Sequence, residues 1–263
     1  MTGREQEGWG RRAELDAAST PAAAREGRPA VVCPRFDGVG ADGAPVRLGI
    51  MGGTFDPIHQ GHLACAEQAR EAFGLAGVVF VPTGRPAFKR DRAVTDGAVR
   101  LEMCRAAVAG NPAFAVSPLE VDRPGITYAV DTLRALRHHY PANVELFFIA
   151  GADAILSIAR WRESAEVARL ARFAAATRPG FEVTESFKEE LASRGAFRVD
   201  YFEVTALAIS SSYLRERAAR GLSLRYLTPD PVREIIEARG LYRLEAPTTA
   251  AAVGGGKEAP WTP

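Results

Sequence analysis

The chain has 263 residues and a formal net charge of +1, with 47% of its residues hydrophobic and 25% charged. These are the fractions of an ordinary globular protein, and the balanced charge argues against a broad nucleic-acid surface or an acidic partner. No apolar run reaches the roughly 18 residues that cross a bilayer, and the N-terminus lacks the basic start and apolar core of a secretory signal. Three scattered cysteines, Cys33, Cys65 and Cys104, form neither a disulfide framework nor a metal spacing. The expected address is the cytoplasm.

Residues 1–44 are rich in Ala, Gly, Arg and Glu without a sustained period. Such a composition buries too little apolar surface to offset ordering entropy, so a disordered N-terminal extension is expected. One domain is expected over residues 45–245, followed by a disordered tail over 246–263. Strands are predicted at Arg47–Met51, Val78–Pro82, Phe114–Val116, Val144–Ala150, Phe173–Thr177 and Phe197–Phe202. Helical patterns cover Gly61–Phe73, Asp96–Ala109, Tyr128–His139, Asp153–Trp161, Ala165–Leu170, Ser211–Arg220 and Pro231–Arg239. Asn111-Pro112 and Tyr140-Pro141 stop the helices before them, since proline removes a donor and crowds the preceding turn. Strand and helix in alternation imply an α/β fold, a Rossmann-like, doubly wound, mostly parallel sheet. Its ligand belongs at the carboxyl ends of the strands, near the reversal of strand order.

Between the first strand and the first helix lies Gly52-Gly53-Thr54-Phe55-Asp56-Pro57-Ile58-His59-Gln60-Gly61-His62. Glycines let a backbone approach an anion, and a helix start offers free N–H groups with a favourable dipole. His59 and His62 add side-chain donors, so the turn suits a nucleoside triphosphate. Asp56-Pro57 reads as turn punctuation. Gly151-Ala152-Asp153 follows the strand Val144–Ala150, and Thr177-Arg178-Pro179-Gly180 closes the next one. Ile209-Ser210-Ser211-Ser212-Tyr213-Leu214-Arg215 stands at a later helix start, where serines cap N–H groups and an arginine offers a planar fork to phosphate.

The stretch Gly52 to His62 resembles the nucleotidylyltransferases that share a His-x-Gly-His tetrapeptide, and among them the nicotinate-nucleotide adenylyltransferases most. Ile209–Arg215 is similar to that family's Ile-Ser-Ser-Thr-x-Ile-Arg motif, with Ser212 for Thr and Leu214 for Ile. The resemblance runs from Val46 to Tyr242. It implies adenylyl transfer from ATP to nicotinate mononucleotide, giving deamido-NAD and pyrophosphate in NAD biosynthesis. Catalytic roles are implied for His59, His62, Lys89 and Arg215. ATP contacts are implied for Gly52, Gly53, Thr54, Phe55, His59, His62, Gly151, Asp153, Ser211, Ser212 and Arg215. Thr127, Tyr128, Trp161 and Arg178 fall to the acceptor. In the phosphate loop Arg85 and Arg90 compete with Lys89. Amides near Thr127 and Tyr128 are expected to hold the nicotinate carboxylate while Trp161 covers the ring.

The acceptor's phosphate is already anionic, so no base is required, and alignment with charge shielding carries the reaction. Mg2+ is expected to arrive on the ATP phosphates, with no metal site built from the protein. No nucleic-acid or membrane partner is expected, and homo-oligomerisation is compatible with this reading. A sister enzyme such as phosphopantetheine adenylyltransferase or a cytidylyltransferase would share the opening motif. It would fit Gly151–Asp153, Trp161 and Ile209–Arg215 poorly. A non-catalytic nucleotide-binding regulatory module is the remaining alternative, and the intact histidines speak against it.

Overall fold

Alternating apolar residues decide how the sheet is covered. In the computed structural model, which describes residues 32–86, 94–180, 184–193, 195–205 and 207–243, the central strand β1 (Val46–Gly53) is flanked by β2 (Gly77–Pro82) and β6 (Val144–Gly151). The strands β3 (Arg85–Pro86) and β5 (Ile126–Thr127) pair as a small separate ribbon. The main sheet is completed by β4 (Phe114–Val116), β7 (Arg172–Thr177) and β8 (Val199–Glu203). Its order is β4-β2-β1-β6-β7-β8, and every pairing is parallel. The chain therefore reverses its direction of travel between β1 and β6, which opens a crevice beyond Gly53 and Gly151.

Successive strand residues point to opposite faces. Val78, Phe80, Phe147 and Ile149 join one core, with α1 (Gln60–Phe73), α2 (Gly97–Val108), α7 (Ser211–Ala219) and α8 (Asp230–Ala238) above them. Val79, Val81, Leu146 and Phe148 join the other, under α3 (Ala129–His139), α4 (Ala152–Ser157), α5 (Ser164–Leu170) and α6 (Glu185–Ser193). Strands buried on both faces read as unbroken apolar runs, as β2 does over all six residues.

Three expectations need correction. Residues 32–44, assigned from composition to the extension, include Val32, Cys33 and Phe36, all buried in the second core. A 3-10 turn at Pro34–Phe36 delivers them, and Arg35 Nη1 donates to the carbonyls of Asn111 and Phe114 at 2.8 and 2.9 Å. Three apolar residues carry no period, so their burial had no local signal. The helix expected over Asp153–Trp161 is α4 followed by a 3-10 turn at Ile158–Arg160. The helix α6 was not expected, because its residues are mostly polar and form a weak stripe. Among the described residues, no helix is long and apolar enough to cross a membrane.

Candidate active site

The turn after β1 is shaped by close contacts. Phe55 takes a left-handed backbone (φ 48°), rare for a residue with a side chain. Burial of its ring, 3% exposed, holds it there. The ring lies over Gly53, where a Cβ would come within 2.8 Å of it. His59 caps α1, and the two histidines cap one another: the His59 amide donates to His62 Nδ1 at 3.2 Å. Their rings stack with centroids 3.6 Å apart, and Phe55 meets His62 edge-on at 5.0 Å. Because His62 Nδ1 accepts, a neutral His62 carries its proton on Nε2. Burial lowers the His59 pKa to about 4, so that ring is neutral near pH 7. A Cβ at Gly61 would stand 3.1 Å from His59 Nδ1, which gives the tetrapeptide its glycine.

Side chains from remote elements hold this loop by its carbonyls. Arg100 on α2 donates to Thr54 O at 2.7 Å, and Arg215 on α7 donates to Asp56 O at 2.7 Å. Ser211 Oγ donates to Pro57 O at 2.9 Å, and Thr228 Oγ1 to Ile58 O at 2.8 Å. Arg100 is 1% exposed and also donates to Thr95 O and Gly84 O, which ties the loop after β2 to the same anchor. Burial lowers its pKa, and the nearby Asp56 opposes that shift. Asp56, itself 1% exposed, accepts from Tyr242 Oη at 2.7 Å. The loop is thus preorganised, its geometry set before a ligand arrives.

Two cavities meet at Gly52 and Gly53, which line both. The first, about 400 Å3, is lined by Phe55, His59, His62, Gly151, Arg178 and Ser211 among others. The start of α1 and the start of α7 converge on it, a setting that favours anions. Among the described residues, no carboxylate side chain lines it. The second, about 330 Å3, has aromatic walls from Tyr128, Phe148 and Trp161, with Thr54, Thr83, Thr127 and Glu120 as polar groups. Trp161 meets Phe148 edge-on at 5.6 Å and donates Nε1 to Ser157 Oγ at 3.2 Å. Glu120 Oε1 accepts from Thr132 Oγ1 at 2.7 Å, and burial raises its pKa.

Most sequence-expected residues gather in these cavities, in a somewhat different distribution. Thr127, Tyr128 and Trp161 share the aromatic cavity. Arg178, grouped with them from sequence, lies instead in the cavity of the histidines, because β7 ends on that side of the crevice. Thr54, expected at ATP, lines the aromatic cavity. Asp153 is exposed on the first turn of α4 and lines neither. Ser212 and Arg215 also lie outside both linings; Arg215 holds the Asp56 carbonyl and donates to Ser212 Oγ at 2.9 Å. The hydroxyl that caps α7 belongs to Ser210, which accepts from the Tyr213 amide. Lys89 and its competitor Arg90 lie outside the described residues, while Arg85 is exposed on β3. Sequence reasoning missed Arg100, Glu120, Phe148, Arg162, Thr228 and Tyr242. Arg100 reads locally as one more helical charge, and nothing short of its tertiary neighbours marks it as buried.

The cytidylyltransferase-like family model matches residues 50–217. A protein of Moorella thermoacetica named "Probable nicotinate-nucleotide adenylyltransferase" is 49% identical over 201 residues, covering 76% of this chain and 93% of its own. One of the same name from Desulfitobacterium hafniense (strain Y51) is 48% identical over 202 residues, covering 76% and 97%. The structure of the Plasmodium falciparum nicotinic acid mononucleotide adenylyltransferase complexed with NaAD superposes with a TM-score of 0.61, covering 75% of this chain and 97% of that one. At 19% identity that likeness speaks to the fold. With two cavities meeting at the turn after β1 and relatives this close over most of the domain, the chain belongs to the nicotinate-nucleotide adenylyltransferases of the cytidylyltransferase-like family.

Proposed function

We propose that the chain transfers the adenylyl group of ATP to nicotinate mononucleotide, releasing pyrophosphate and forming deamido-NAD. The observation that carries this reading is the pair of cavities joined at Gly52 and Gly53, one rich in anion donors and one walled by aromatic rings. ATP occupies the first and the pyridine ring the second, so the two phosphates meet at the glycines. An oxygen of the acceptor's 5′-phosphate attacks the α-phosphorus. The bond from that phosphorus to the α,β-bridging oxygen breaks, and pyrophosphate leaves with the electron pair. The attacking oxygen is anionic already and gives up no proton.

His62 Nε2–H donates to the phosphates as charge moves to the leaving group, and neutral His59 keeps the His62 ring in register. Arg178 and the helix starts shield the remaining oxygens, while Arg215 and Ser211 position the loop. Lys89 enters this reading on the family resemblance alone. Magnesium bound to the triphosphate would add further charge shielding. A lining of histidine, arginine and serine, with no carboxylate among the described residues, suits an ion that takes its ligands from phosphate and water. The reading places the enzyme in the cytoplasm, in keeping with its free cysteines, and gives it neither a nucleic-acid nor a membrane partner.

Pyrophosphate release from ATP and magnesium, compared for nicotinate mononucleotide, nicotinamide mononucleotide and phosphopantetheine, tests it. Strong preference for the acid is expected. Turnover with another acceptor alone would replace the substrate, and no turnover with any would sink the catalytic reading.

A further inference from the structure

We propose that Arg162 reads the acid group of the acceptor: its guanidinium is the cation on which a carboxylate carried by the pyridine ring docks. The inference rests on the adenylyl-transfer reading and extends it to the choice between acid and amide. Among the described residues that line the aromatic cavity, two are charged, Arg162 and Glu120. Glu120 is 7% exposed and turned onto the Thr132 hydroxyl, and its burial disfavours the charged form. Arg123 sits near enough to offset whatever charge it carries. Among the described lining residues, Arg162 is therefore the group that offers a positive charge to a ligand.

Its placement suits an aromatic acid. Trp161, the preceding residue, offers its ring to the same cavity and is held by Ser157, so ring contact and charge contact come from adjacent positions. The Arg162 guanidinium rests on the Tyr128 ring, 4.8 Å from its centroid, which aims it while leaving it charged. Its ion pair with Glu163 runs through Nε at 3.4 Å, and that glutamate is already shared with Arg134. Among the described residues, the terminal nitrogens of Arg162 have no hydrogen bond, so its fork is open to a carboxylate. The side chain is 56% exposed, as a group at the mouth of a substrate cavity should be.

Calorimetric titration of nicotinate and nicotinamide mononucleotide into wild type, Arg162→Gln and Arg162→Lys tests this apart from turnover. For a half-exposed charge-assisted contact the Arg162→Gln variant should bind the acid about tenfold more weakly. It should bind the amide as wild type does, and Arg162→Lys should recover part of the preference. Equal weakening toward both ligands, or none toward the acid, would overturn the assignment and leave the amides at the start of α3 as the carboxylate's site. Pyrophosphate release is measured alongside. Arg162-dependent acid binding without release would remove the adenylyl-transfer reading and leave this inference standing.

Discussion

Replacing His62 by alanine separates chemistry from architecture, because the structure gives a size to each. In the proposed mechanism the ring contributes one donor to the reacting phosphates, and losing one preorganised donor of that kind typically lowers turnover by about 10² to 10³-fold, roughly 2.7–4 kcal/mol. Three structural contacts go with it: the cap on the His59 amide at 3.2 Å, the stack on His59 and the edge contact with Phe55. A lost cap costs about 1 kcal/mol and each ring contact about 0.5–1.5 kcal/mol. A sum of about 2–4 kcal/mol lowers the melting temperature of a domain this size by roughly 4–16 °C. Typical domains hold about 5–15 kcal/mol in reserve, so the variant stays folded at 25 °C and unfolding cannot imitate a hundredfold loss. Steady-state pyrophosphate release with saturating acceptor, with thermal melting on the same preparation, makes the measurement. A kcat within threefold of wild type, combined with a raised KM for ATP, would refute the argument and make His62 a ground-state contact.

Other variants probe the supports of the site. Tyr242→Phe removes the hydroxyl that donates to buried Asp56 at 2.7 Å. A hydrogen bond to a charged group contributes about 1.5–3 kcal/mol, so the melting temperature should fall by roughly 3–10 °C; an unchanged value would take Tyr242 out of the anchor. Gly61→Ala places a Cβ 3.1 Å from His59 Nδ1, in a ring already pinned against His62. At least a tenfold fall in kcat is expected, with little change in melting, and full activity would show that the ring gives way. The His59 pKa of about 4 in the folded chain lies below the unfolded value of 6.5. The unfolded state binds more protons between those values, so this stability is complete above pH 6.5 and is lost as pH falls toward 4. The loss amounts to about 3 kcal/mol. Denaturant midpoints from pH 7.5 to 4.5 should show an acid limb that is shallower in His59→Asn, and parallel limbs would refute the assignment.

The alternation of strands and helices, the parallel sheet and the turn that carries His59 and His62 are all legible in local sequence. Each of these is written in residues a few positions apart: apolar runs make buried strands, prolines stop helices, and a glycine next to a histidine leaves room for its ring. The serine-rich start of α7 was legible for the same reason, though its division of labour was not. Ser210 caps the helix, and Ser211 and Arg215 reach back to the motif loop. Which charges are buried, and which cavity each residue enters, follows from contacts between elements far apart in the chain. The anchors of the loop lie 46, 159 and 170 residues away in the chain, at Arg100, Arg215 and Thr228. Tyr242 meets Asp56 across 186 residues. Arg178, which follows β7, and Arg162, in the turn after α4, carry the same side chain yet enter different cavities. A local pattern fixes backbone conformation over one or two turns. Burial and charge environment depend on what the rest of the chain brings alongside.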